Sequence, residues 1–97
     1  MSLKITRDAV AVWGTGQDTT TSGATAVTLD STPAAYVTIM GPAVAIDITY
    51  VGQTGGALIL PANGSVTLPL RANLNEVAWK RNDDAATSTT LSYTYGY

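Results

Sequence analysis

The sequence predicts an all-β fold, a single antiparallel β-sandwich or jelly-roll-like domain, on three observations. Apolar and polar residues alternate with the two-residue period of a half-buried strand over residues 44–50, 66–70 and 91–97. Val, Ile, Thr and Tyr are frequent, and turn-forming residues recur about every ten positions, as in sandwiches and barrels. Gly and Pro interrupt most windows long enough for a helix of three turns. The length of 97 residues suits one domain, and no longer period repeats along it, which argues against a solenoid.

The elements follow in order. Residues 9–13 read as a short strand. Residues 14–25 carry Gly14, Gly16 and Gly23 and the run Thr19-Thr20-Thr21-Ser22, and read as an exposed loop or arm. The organisation expected is therefore an N-terminal arm over residues 1–25 and a sandwich domain over residues 26–97. Residues 26–29 can add a strand before the turn Asp30-Ser31-Thr32-Pro33. Residues 35–40 form a strand with Val37 and Ile39 on one face. Val44, Ile46, Ile48 and Tyr50 alternate with Ala45, Asp47, Thr49 and Val51 in the next. After the turn over residues 52–56 comes a short apolar strand, residues 57–60. Pro61-Ala62-Asn63-Gly64 is a strong turn, because Asn and Gly tolerate positive φ. Residues 65–70 alternate again, and Pro69, which cannot donate to a ladder, marks an edge strand. Residues 74–80 place Val77 and Trp79 on one face. Asn82-Asp83-Asp84 turns the chain into a last strand bearing Leu91, Tyr93, Tyr95 and Tyr97 on one side and Thr90, Ser92 and Thr94 on the other. The expected core is Val37, Ile39, Val44, Ile46, Ile48, Leu68, Val77, Trp79 and Leu91.

Composition narrows the function. Charged residues make up 12% of the chain, about half the usual share, which suits a surface covered by neighbours better than a free one. The net charge of −2 and the lack of a basic patch argue against nucleic acid. Apolar stretches fall far short of the roughly 20 residues that span a bilayer, so no membrane role is expected. The first residues show no apolar secretory segment, and synthesis in a cytoplasm is expected. There is no Cys and no His. Disulfides, thiolate nucleophiles, the usual general base and the usual zinc ligands are thereby missing, and the reading is not an enzyme, with no cofactor and no metal.

The carboxylates are the remaining chemical candidates. Asp83 and Asp84 belong to turn chemistry, and with Asn82 they give too few oxygens for calcium. Asp47, mid-strand among apolar neighbours, is open between a solvated face residue, a buried partner of Arg71 and an interface group. Glu76 suits local hydrogen bonding better than catalysis. The aromatic residues Trp13, Tyr93, Tyr95 and Tyr97 are the candidate contact residues, because large amphipathic rings suit interface cores. The competing reading closes the core with Tyr93 and Tyr95. Few charges together with sheet edges near Pro69 and the C-terminus predict self-association.

The runs Val51-Gly52, Leu60-Pro61-Ala62-Asn63-Gly64-Ser65-Val66-Thr67-Leu68-Pro69-Leu70, Asn73-Leu74-Asn75-Glu76-Val77 and Tyr95-Gly96-Tyr97 resemble small virion proteins of tailed bacteriophages. The likeness covers about residues 35 to 97. It implies a capsid decoration or cement protein, located in the virion, that binds the major capsid protein on the outer surface of the lattice. Such a ligand stabilises the shell by mass action. It also implies a homo-oligomer, a trimer or a dimer. The alternative it leaves is a tail or head–tail junction module binding a receptor, a glycan or another virion protein.

Overall fold

A computed structural model describes residues 13–20 and 23–97 of the chain. Eight strands run in the order β1 (Trp13–Thr20), β2 (Val27–Thr28), β3 (Tyr36–Met40), β4 (Ile46–Tyr50), β5 (Leu58–Leu60), β6 (Ser65–Pro69), β7 (Val77–Arg81) and β8 (Thr89–Gly96). They build two four-stranded sheets, β1-β8-β3-β6 and β2-β7-β4-β5, with every pair antiparallel. The pairs β4–β5, β3–β6, β2–β7 and β1–β8 nest inside one another like a single long hairpin. Rolling that hairpin adds the lateral pairs β3–β8 and β4–β7. This is the topology of an eight-stranded jelly roll, and the expected sandwich is what the chain forms.

The alternation read from the sequence sets the layers. Val37 and Ile39 on β3, Ile46 and Ile48 on β4, Val77 and Trp79 on β7 and Leu91 on β8 all face the space between the sheets and are buried. Leu29, Ala34, Leu60, Leu74 and Tyr93 complete that core. Two expected core residues differ. Val44 precedes β4 and is half-buried, and Leu68 on edge strand β6 is half-buried because nothing packs beyond it in its sheet.

The main departure is at the N-terminal side. The segment read as a loop is strand β1, paired with β8 in continuous register from Trp13↔Gly96 to Thr20↔Thr89. Its glycines have a packing role. Gly14 and Gly16 lie opposite Tyr95 and Tyr93, and a Cβ at either would sit 2.6 or 2.5 Å from the tyrosine hydroxyl. The two rings lie over bare backbone, the close approach that in-strand glycine permits. Residues 1–12, including most of the strand expected at 9–13, lie outside the described residues.

A second departure is at residues 74–76. The expected strand opens with a single 3-10 turn, Leu74–Glu76, because Asn73 and Glu76 form a reciprocal cap there. The Asn73 side chain accepts from the Asn75 and Thr32 N–H groups, and the Glu76 carboxylate accepts from Arg71, Ala72 and Asn73.

Candidate assembly surfaces

Among the described residues the sandwich offers a partner two outer faces, four free edges and a groove. The outer face of the β1-β8-β3-β6 sheet is built from the positions that alternate with the core. Thr15, Thr94, Thr38 and Thr67 share one row across all four strands. Gln17, Ser92, Met40 and Ser65 form the adjacent row. Thr19 and Thr90 pair beyond it. The Thr19–Thr90 and Thr38–Thr67 hydroxyls each meet at 2.7 Å, so cross-strand threonines partly satisfy one another. Tyr36 and Met40 add exposed apolar surface. Among the described residues no acidic or basic side chain stands on this face: Asp18, the one charged residue on these strands, belongs to the inward-facing set and accepts the Trp79 indole N–H at 2.7 Å.

The opposite outer face is charged. Asp47 on β4 lies across from Lys80 on β7, 3.5 Å from its ammonium, and accepts from the Asn82 amide at 2.7 Å. Asp47 is thus a face residue in a polar network; Arg71 is elsewhere. Lys80 also pairs with Asp84, and this bond, followed by the charges of Asp84 and Asp47, raises its pKa above the ordinary value. Arg81 holds Asp83 through two nitrogens at 2.9 and 2.8 Å. That contact, helped by the Ala85 N–H, keeps the Asp83 carboxyl far below the usual carboxylate range. Asp83 and Asp84 thus serve the turn, where Asp84 takes a positive φ of 57°.

The groove, about 730 Å³, lies between the β4–β5 turn and the end of β6, lined by Tyr50, Gln53, Pro69, Arg71 and Glu76 among others. Its polar groups are mostly engaged already. Tyr50 donates its hydroxyl to the Pro69 carbonyl at 2.8 Å, and Gln53 bonds the backbone of Tyr50 and Gly56. Burial, then the charge of Glu76, raises the Tyr50 phenol above its ordinary value. The three backbone bonds hold Glu76 below its own. With its carboxylate spent on three N–H groups, Glu76 is a structural cap. Among the described residues no three His, Cys, Asp or Glu gather in a metal-holding group.

The candidate contact aromatics separate. Tyr93 is 4% exposed and sits in the core, its phenol raised chiefly by burial. Tyr95 is half-buried beside it, ring centroids 6.1 Å apart. Tyr97 is 53% exposed and is available to a partner. Trp13 takes the register position opposite Gly96 at the start of β1. What the sequence reading missed is the edge strand β1 itself, and the exposed Leu58 and Ile59 on edge strand β5. Composition hid β1, because its glycines look like loop residues until Tyr93 and Tyr95 are placed opposite them.

No protein-family model and no curated protein matches the sequence. Among solved structures, a chain from the Bacillus endospore appendages, described as a novel family of disulfide-linked pili, is similar over 88% of this chain and 87% of its own, with a TM-score of 0.51 and 18% identity. Identity at that level establishes the shared fold. It also corrects the resemblance to phage virion proteins, and with it the capsid decoration role, the virion location and the tail alternative; nothing found supports the major capsid protein as a partner. The physical reason lies in the residues that carried the resemblance. Pro61 to Gly64 make a turn in which Asn63 has φ 59°, and Asn73 and Glu76 make a cap. Those motifs report the needs of a jelly roll, and a solved structure similar to this chain is an appendage protein.

Proposed function

We propose that this chain is a non-catalytic structural subunit that assembles with copies of itself into a surface fibre. The observation that carries this reading is the edge of β1, unpaired among the described residues. It is an eight-residue edge strand with neither Lys nor Pro along it, two of the usual devices that keep an edge from pairing. Edge strand β5, with Leu58 and Ile59 exposed, offers a second pairing edge in the other sheet. A contact between unlike edges is heterologous, and heterologous contacts that do not close build open filaments. The likeness to the endospore appendage protein supports the same reading, with the fibre outside the cell. The chain has no cysteine, so any fibre it forms is held without the disulfides that link those pili.

The test is direct. Purified chain at about 100 μM, near the concentration where weak interfaces fill, is examined by light scattering and negative-stain electron microscopy. Filaments of uniform width are expected. A species that stays at 10.0 kDa, or that stops at a dimer or trimer, overturns the reading.

A further inference from the structure

We infer that the threonine-rich outer face of the β1-β8-β3-β6 sheet is the side-to-side contact between two assembled fibres, meeting the same face of a second copy; this rests on the fibre reading above. Three features of the face point to self-contact. Its described residues include no acidic or basic side chain, whereas Asp47–Lys80 lies on the opposite face and Lys80–Asp84 and Arg81–Asp83 lie at the turn after β7. Two copies of a chain of net charge −2 repel least where neither presents charge, and no buried ion has to be left unpaired. The second feature is that hydroxyl pairs at Thr19–Thr90 and Thr38–Thr67 already bond within the sheet. Removing water from the face therefore costs less than removing it from unpaired polar groups. The third is the mixture of surface: Met40, 40% exposed, within the second row, and Tyr36, 39% exposed, beside the threonine row, supply apolar contact.

The size of the face selects fibres over a free dimer. Four strands about 4.8 Å apart and about five residues long span a projected patch of about 300 Å². Stable pairwise interfaces bury roughly 800 Å² on each partner. One such contact is weak. Repeated along two rigid fibres, it gains avidity of roughly a hundred- to ten-thousand-fold. The face is thus silent in a dispersed chain and effective once copies are held in line.

The experiment compares assembled wild type with Thr67→Lys/Thr90→Lys, both exposed on this face, and with Ala62→Lys/Asn75→Lys, two exposed positions on the turn before β6 and on the 3-10 turn. Both variants change the net charge equally, so only placement differs. Single fibres and bundles are separated by low-speed sedimentation and counted by electron microscopy. Wild type and the Ala62→Lys/Asn75→Lys chain are expected to pellet as bundles, and the Thr67→Lys/Thr90→Lys fibres to pellet at least tenfold less at unchanged fibre length. Wild-type bundling is also expected to hold from about 50 to about 500 mM salt, because no charge on the face is screened; bundles that dissolve across that range overturn the inference even if the face variant does not fold. Wild-type fibres that stay single, or Thr67→Lys/Thr90→Lys fibres that still bundle, overturn it while leaving the fibre reading intact. Absence of any fibre overturns the fibre reading, and this inference with it.

Discussion

Asp18 shows how much one side chain can decide. Its carboxylate reaches from β1 across the sandwich to the buried indole of Trp79, which is 1% exposed. Asp18→Ala leaves that N–H without its acceptor and should cost about 1–3 kcal/mol in urea unfolding. Asp18→Asn keeps an oxygen there and should cost less; equal losses would mean that the bond contributes nothing. Ile48, 3% exposed, was legible from alternation alone. Ile48→Ala should cost about 2–5 kcal/mol, and a loss below about 1 kcal/mol would place that face outside the core. Asp18 was not legible, because nothing local marks a carboxylate whose partner is Trp79 on the other sheet. Tyr93 was left open between core and contact for the same reason. Its burial depends on Gly16 lying opposite it, and that pairing spans most of the chain.

At the scale of elements, the cap on the 3-10 turn gives the molecule an acid-sensitive joint. Glu76 has a folded pKa below its ordinary value of 4.5, caused first by the Arg71 N–H bond. Its contribution is therefore complete above the unfolded value and is lost as pH falls through the lower folded value. Glu76→Gln should lower stability at neutral pH and flatten the fall of the urea midpoint below about pH 4.5. A fall as steep as that of wild type would assign the acid response to other groups, Asp83 first. Strand β1 gives the second prediction at this scale. Deleting residues 1–25 removes β1, bares the edge of β8 beside Tyr93 and Tyr95, and takes Asp18 from Trp79. That shorter chain should not fold; a cooperative transition would show β1 to be dispensable. Strands β3 to β8 were readable because their periodicity is local. Strand β1 was hidden because Gly14 and Gly16 break the pattern for a reason found only in β8.

The whole molecule divides its surfaces sharply. Among the described residues, one sheet faces outward with charges and the other with hydroxyls, a division invisible in composition, which averages the two. The net charge of −2 announced no partner because it describes neither face. The same composition supplies a prediction for the assembled state. With no cysteine in the chain, fibres should keep their length in excess thiol reductant and come apart in urea or guanidinium, both followed by light scattering. Shortening by reductant alone would show that some other, sulfur-bearing component joins the subunits.

The nested hairpin also sets a calendar. Among the described strands β1 is the first to emerge during synthesis, and its partner β8 is the last. Until β8 arrives, β1 has no neighbour in its own sheet and β3 pairs only with β6. The innermost pair, β4–β5, can close early, but its sheet waits for β7. Contacts so distant along the chain put folding in the slow range, roughly milliseconds to seconds. If the chain assembles as proposed, the pairing edge on β1 is held in its final place only once β8 has arrived.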